Sequence, residues 1–174
     1  MLVFKSVTFV YKPREDRILA IINAGHPEAW SCWLTRRLVL ALLSRVTDLL
    51  ANTSALAQRA PADIRHELVA FERDAAMANT AKAMSQTPAE VLKTNAAVTE
   101  LAERLTISSR GDSLQVELRG ESGGGAAGVL TRAELQRILQ MLQTEVAKAN
   151  WLDTSVKSSA APATGEAASK PARH

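Results

Sequence analysis

The sequence predicts an α+β fold made of two pseudo-repeated β-β-β-α units, each an antiparallel meander followed by a helix, with a helical insert between them. Three observations predict it. Strand-forming residues separated by short turns occur in both halves of the chain. An apolar run with helical spacing follows each group of strands. The tripeptide Leu-Thr-Arg stands where strand meets helix both times, at residues 34–36 and 130–132.

The first unit covers about residues 1–52. Residues 3–11 are rich in β-branched and aromatic side chains, which predicts one strand, and "KPRED" predicts the turn after it. "RILAIIN" is the second predicted strand and "EAWSCWL", after the turn "AGHP", is the third. Thr35 is expected to cap a helix that runs to about Leu50.

The second unit covers about residues 101–150. "RLTISSR" and "SLQVELRG" predict a hairpin around the turn "GD". "ESGGGAAG" is interpreted as a flexible connection and "AAGVL" as a short third strand. Thr131, with Glu134 three residues later, has the spacing of a capping box, so a helix is expected from there to about Asn150.

The two units align without a gap at an offset of 96 residues. The apolar positions that then coincide have the i, i+3, i+4, i+7 spacing of one helix face. They are Val39, Leu42, Leu43 and Val46 in the first helix and Leu135, Ile138, Leu139 and Leu142 in the second. We interpret the match as an internal duplication. The alternative is coincidence, because threonine is a common helix cap.

A helical insert is expected at about residues 61–97, with its apolar stripe on Ile64, Leu68, Phe71, Ala75 and Ala78 and a short extra helix at 87–95. Residues 1–154 are predicted to form one domain. Residues 155–174 are Ala, Ser and Pro with almost nothing to bury, so a disordered tail is expected there.

The first helix is apolar all round from Leu38 to Leu43, which predicts cover on more than one side. Exposing each large side chain there would cost about 2 kcal/mol. We favour the insert helix as the second cover, and a dimer contact is the alternative.

Composition bounds the class of protein. The chain has 174 residues and a formal net charge of +3, but outside residues 155–174 it holds 18 basic and 17 acidic residues. The predicted domain is therefore nearly neutral, which weakens a nucleic-acid interpretation. A single cysteine, Cys32, is typical of a reducing compartment. With no export signal and no apolar run near the 20 residues of a membrane span, we expect a bacterial cytoplasmic protein that contacts no membrane.

No pattern of residues predicts catalysis. "HELVA" lacks the second histidine of a zinc-protease helix, since Ala70 stands in its place. "SGGGAAG" lacks the Gly-Lys-Ser/Thr ending of a phosphate loop. Cys32 has no histidine at a recognisable spacing and is interpreted as a buried structural thiol. We therefore expect a non-enzymatic protein with no catalytic residue, cofactor or metal.

Arg36, Arg37 and Arg132 lie in first helical turns, where a cation meets the positive end of the helix dipole. One hypothesis is an anion site, in which free helix N–H groups and a guanidinium hold a phosphate or carboxylate. The alternative is a salt bridge to a nearby acid, or stacking of Arg36 on Trp33.

The leading functional hypothesis is a small interaction or structural protein that acts through protein–protein contacts, with a homodimer as one form. Trp30, Trp33 and Leu40 are the candidate interface residues, and plain core packing is the alternative for them. The second hypothesis is single-strand nucleic-acid binding on a sheet face, with the basic tail as an auxiliary arm. Arg104, Arg110 and Arg119 would line that face. The third is an enzyme whose site is assembled only by the fold.

Overall fold

A curled seven-stranded sheet with helices packed on it forms the described part of the molecule. The computed structural model describes residues 1–54, 59–78, 99–111 and 113–152. The expected tail at 155–174, the short helix at 87–95 and the end of the predicted insert lie outside these residues. The fold is mixed α+β, as the sequence predicts.

The strands are named in chain order. They are β1 (Leu2–Val3), β2 (Val7–Lys12), β3 (Arg17–Ile22), β4 (Trp30–Leu34), β5 (Thr99–Arg110), β6 (Ser113–Gly120) and β7 (Gly125–Leu130). The α-helices are α1 (Arg36–Thr53), α2 (Arg65–Ala78) and α3 (Arg132–Lys148), and a 3-10 turn at Ala62–Ile64 leads into α2.

The sheet order is β1-β7-β6-β5-β4-β3-β2. Strands β2, β3 and β4 form one antiparallel meander, and β5, β6 and β7 form a second. The meanders join edge to edge through a short parallel pairing of β4 with β5, from Ser31–Thr99 to Trp33–Leu101. Both therefore belong to one continuous sheet, and the faces of the two meanders that pack on the helices lie on the same side of it. Strand β3 is buried on its other face as well, at Leu19 and Ile21.

The core lies between that face of the sheet and the helices α1 and α3. The alternating residues predicted for β3, among them Ile18 and Ile22, are fully buried there with Leu34 of β4. Leu114 and Val116 of β6 bury against Leu135 and Leu139 of α3. The insert helix α2 packs on α1 and α3, so the molecule is layered as sheet, helix pair and outer helix.

Both predicted N-caps are confirmed. The Thr35 side chain accepts from the N–H of Leu38, and the Thr131 side chain accepts from the N–H of Glu134. The Glu134 carboxylate in turn accepts from the N–H of Thr131 at 2.8 Å, which completes the capping box. Each cap satisfies main-chain donors that have no partner within the helix.

The N-terminal strand differs from the prediction. Instead of one strand over residues 3–11, β1 leaves the line of β2 and pairs in parallel with β7 at the opposite edge of the curled sheet. The buried side chain of Asn23 makes this possible, because its Oδ1 accepts from the N–H groups of Lys5 and Ser6 and its Nδ2 donates to the Val3 carbonyl. These bonds supply partners for main-chain groups of residues 3, 5 and 6, while the Phe4 N–H continues the pairing with β7 by donating to the Ala127 carbonyl at 2.8 Å.

The glycine-rich connection is a fixed turn and not a loose loop. Ser122 donates to the Glu100 carboxylate from its main-chain N–H at 2.8 Å and its hydroxyl at 2.6 Å. The N–H of Gly120 donates to the Gly124 carbonyl at 2.9 Å. A Cβ added at Gly120 would lie 2.1 Å from the Glu100 side chain, so a larger residue there would require the Glu100 carboxylate to shift.

The apolar stripe predicted for the insert faces solvent, so that expectation was wrong. Ile64, Phe71, Ala75 and Ala78 are exposed, with Phe71 retaining 67% of its accessible surface, and only Leu68 of the predicted stripe is partly buried. The opposite side of α2 docks instead through polar groups. Glu72 accepts from the Ser54 hydroxyl at 2.6 Å and pairs with Arg132 at 3.2 Å. Tertiary hydrogen bonds here outweigh the orientation that the apolar pattern favours.

Candidate protein-interaction groove

Strand β5 is longer than its neighbour β4. Pairing between them covers only Thr99–Leu101 on β5, and β4 ends at Leu34, whereas β5 continues to Arg110. From Arg104 onward β5 pairs with β6 on one side, and within the described residues no strand pairs with its other side. Such an edge offers main-chain N–H and C=O groups to another chain. We call residues 104–110 the free edge.

A groove lies between the free edge and α1, with a volume of about 510 Å³. The α1 residues lining it are Leu38, Ala41, Leu42, Arg45, Val46 and Leu49, and the β5 residues are Arg104, Leu105, Thr106 and Ile107. Residues from both faces of β5 line it, which is expected of a groove at a strand edge. Its size is within the range of binding clefts in proteins.

The groove has an apolar wall and a basic rim. Its α1 wall is formed mainly by leucine and alanine, while Arg45 and Arg104 are exposed at its margin. Arg110 is exposed farther along the free edge, on the same strand face as Arg104. In the described part of the chain none of these three arginines has a salt bridge. Their positive charge is therefore available to an acidic partner.

The expected interface residues do not form one patch. Trp30 is partly buried on the core face of β4, where its indole N–H donates to Glu100 at 2.6 Å. Trp33 lies on the opposite face of that strand, in register with Leu19 and Leu101. Leu40 is partly buried against the core. The structure thus separates the two tryptophans, and the interface role of all three residues stays a prediction.

The arginines predicted for an anion site contact the protein itself. Arg36, at the start of α1, donates to the Trp151 carbonyl at 2.9 Å, just past the end of α3. Arg132, at the start of α3, donates to the Leu50 carbonyl at 2.8 Å and the Thr53 hydroxyl at 2.7 Å, at the end of α1. Each cation lies at the negative end of the other helix, a favourable placement.

These contacts explain why arginine tolerates its position in a first helical turn. Arg132 also forms the salt bridge to Glu72 that the alternative interpretation expects. Arg37 is exposed to solvent. Anion binding by the three residues stays a prediction, and an anion at Arg36 or Arg132 would compete with oxygen atoms already bound there.

Glu100 is a central residue that sequence patterns did not reveal. The Ser122 hydroxyl bond lowers the pKa of its carboxyl most, and the Ser122 N–H and the Trp30 indole lower the pKa further. Nothing local marks it, because Trp30 and Ser122 are 70 and 22 residues away along the chain. Both oxygens of the Glu100 carboxylate accept hydrogen bonds that connect β5 to β4 and to the glycine turn. The role of this residue is therefore structural.

Cys32 and the residue types that ligate metals are the remaining candidates for chemistry. Burial, and next the charge of Glu100, raise the pKa of the Cys32 thiol to about 12, so the nucleophilic thiolate is scarce at neutral pH. No set of three histidine, cysteine or acidic residues in the described part is placed to hold a metal ion. In the same residues, no helix combines the length and apolar character needed to cross a bilayer.

Comparison with known proteins adds no family or relative. No family model matches the chain, and neither the curated proteins nor the solved structures yield a match. Function must therefore be argued from the groove itself.

Proposed function

We propose that this chain is a small, non-enzymatic cytoplasmic interaction protein that acts through protein–protein contacts, with a homodimer as one form. The observation that carries the proposal is the groove between α1 and the free edge of β5. It combines apolar side chains with main-chain groups that no described strand pairs with, and both favour a polypeptide as the ligand.

Edge protection alone is a weaker explanation of the groove. Proteins often place charge on an exposed edge strand to prevent aggregation, and Arg104 and Arg110 would serve that purpose. Protection does not require an apolar helix wall beside the edge, however. Leu38, Leu42 and Leu49 on that wall are only partly buried and would bury further under a partner.

The test compares two exposed residues of α1. Ala41 lines the groove and Ser44 does not. The full-length wild type, Ala41→Arg and Ser44→Arg are used to capture proteins from the native cytoplasm, with light scattering for mass. We expect a stable partner, or a homodimer, with wild type and Ser44→Arg and its loss with Ala41→Arg. Equal capture by all three, or none by any, would contradict the proposal.

A second candidate function, single-strand nucleic-acid binding, is favoured by one observation. Arg104 and Arg119 pair directly across β5 and β6, and Arg110 is exposed on the same outer face. Against it, β5, β6 and β7 contain no aromatic residue for base stacking. A salt-dependent mobility shift, with and without residues 155–174, tests it. Arg119→Gln should weaken nucleic-acid binding and leave partner capture unchanged.

We further propose that the two meander-plus-helix segments arose by internal duplication. Strand pairings support it: Ile18 pairs with Leu34 and Leu114 with Leu130, an offset of 96 for both partners. The strands that precede the hairpin turns, β2 and β5, are offset by 98 residues instead of 96. The reason is that the turn before Ser113 is two residues shorter than the turn before Arg17. The reciprocal contacts of Arg36 and Arg132 support it as well.

A further inference from the structure

We propose that the groove binds an extended, acidic peptide segment of a partner protein, which adds to the free edge of β5 as a further strand. This inference rests on the proposed function and specifies the partner. Three properties of the groove support it: the length of the edge, the chemistry of the helix wall and the charge of the rim.

The length of the edge defines how much peptide fits. Residues 104–110 of β5 span roughly 20 Å in extended conformation. They accommodate about seven residues of an added strand. Alternate residues of β5 direct their N–H and C=O groups toward the open side, so the added strand would gain a ladder of main-chain hydrogen bonds. Such a ladder supplies affinity that depends little on sequence.

The helix wall selects side chains. Every second residue of an added strand faces the same way, and on the α1 side it would meet Leu38, Leu42 and Leu49. Ala41 is the smallest side chain of this wall. The peptide is therefore expected to carry medium-sized apolar residues at alternate positions.

The rim selects charge. Arg45 on α1 and Arg104 and Arg110 on β5 are exposed and form no salt bridge within the described residues. Acidic residues at the ends of the apolar stretch would pair with them. Such pairs also raise the association rate and exclude basic segments.

The same charges disfavour a second copy of this chain at the free edge. An antiparallel pairing of two β5 strands that uses all of residues 104–110 has its two-fold axis at Ile107. It would set Arg104 of one copy opposite Arg110 of the other, twice. Like charges directly opposite on neighbouring strands are destabilising, so an acidic segment of a different protein fits better.

The experiment uses the full-length chain and a fluorescein-labelled peptide of about ten residues, with alternating valine and threonine in the middle and aspartate at both ends. We expect saturable binding by fluorescence anisotropy. Two control peptides test separately the contributions of charge and of main-chain hydrogen bonds to binding. One has lysine in place of aspartate, and the other is N-methylated at alternate residues, which removes main-chain donors and keeps every side chain. Each control should bind at least about tenfold more weakly.

Two protein variants locate the site. The double variant Arg45→Glu, Arg104→Glu should bind the aspartate peptide at least about tenfold more weakly and the lysine peptide more strongly. Ser44→Arg should bind as the wild type does. Amide hydrogen exchange should show protection at residues 104–110 when the aspartate peptide is added.

The results of these experiments distinguish failure of strand addition from failure of the proposed function. Equal binding of N-methylated and unmodified peptides would overturn strand addition, and so would an absence of saturable binding. If capture of a partner still depended on Ala41, the proposed function would stand and only this inference would fail. A dimer in light scattering that Ala41→Arg converts to monomer would assign the groove to a second copy and also overturn it.

Discussion

Asn23 shows how one residue redirects the chain. It has a φ of 54°, in the left-handed region that asparagine tolerates better than most residues. Its side chain is buried and bonds to the main chain of residues 3, 5 and 6. The chain therefore leaves β2 and reaches β7 at the other edge of the sheet.

Replacing Asn23 tests this role. Asn23→Ala removes three hydrogen bonds and leaves alanine, which has no side-chain amide, in the left-handed region. The free energy of unfolding should therefore fall by about 3 kcal/mol. Asn23→Gly relieves the backbone strain but still lacks the amide, so its loss should be about 1 kcal/mol smaller. Urea unfolding measures both. Equal, small losses would show that the amide bonds contribute little.

Glu100 makes stability depend on pH. Hydrogen bonds from Ser122 and Trp30 hold its pKa below the ordinary value of 4.5. A carboxyl whose pKa is lowered in the folded state stabilises the fold above its unfolded pKa, and this contribution is lost as the pH falls through the folded pKa. The pKa values of Asp16, beside Trp151, and of Glu134, beside Thr131, are lowered as well.

Glu100→Gln should therefore reduce the acid sensitivity of the protein without abolishing it. Between about pH 6 and pH 3 the free energy of unfolding should fall less for this variant than for the wild type. Glu103→Gln, exposed on the same strand, is the control and should leave the slope unchanged. Identical slopes for Glu100→Gln and wild type would contradict the role of the carboxylate.

At the scale of elements, the helices α1 and α3 are joined at both ends by arginines. Arg36 reaches the end of α3 and Arg132 reaches the end of α1. A guanidinium that would be unfavourable at the start of its own helix is stabilised by the carbonyls that end the other one. Arg132 also contacts Glu72, so one side chain connects all three described helices.

Arg132→Gln should weaken this junction. It leaves the Leu50 carbonyl and the Glu72 carboxylate without a cationic donor, which should cost about 1–3 kcal/mol in urea unfolding. Arg37→Gln is the matched control, since Arg37 is exposed in the first turn of α1, and it should change stability by less than about 0.5 kcal/mol. A similar effect of both variants would show that only net charge matters.

At the scale of the whole molecule, α3 closes the curled sheet. It contacts β2 at one edge and β6 and β7 toward the other, and Glu145 accepts from the N–H of Tyr11 at 2.8 Å. Leu142 lies near the middle of this helix with 1% of its surface exposed. Helix α3 therefore contributes buried side chains to the core along most of its length.

Leu142→Ala should lower the free energy of unfolding by about 2–5 kcal/mol, because the cavity it leaves is enclosed by sheet and helices. Leu152→Ala provides a control just beyond the helix, where the side chain is 62% exposed, and a change within about 0.5 kcal/mol is expected. Thermal or urea unfolding measures both. A loss below about 1 kcal/mol for Leu142→Ala would show that the core readily collapses into the space.

The features of the fold that could be predicted are those determined by residues close together in the sequence. The threonine caps, the hairpin turns and the alternating burial of β6 depend on residues within a few positions, so their patterns are visible in the sequence. The separation of β1 from β2 and the hydrogen-bonded glycine turn were missed, because Asn23 and Glu100 act on residues far from them in sequence. The orientation of α2 was missed because polar contacts at Glu72 override its apolar stripe.

The sequence alone was sufficient for the α+β class, the positions of α1 and α3 and the buried face of β6, since periodicity and capping are short-range properties. Only the tertiary structure decided that β4 and β5 pair in parallel and that β5 extends beyond β4. The partners of Arg36 and Arg132 were likewise set by tertiary contacts. The groove exists because two strands from distant parts of the chain differ in length where they meet, and no local pattern records that difference.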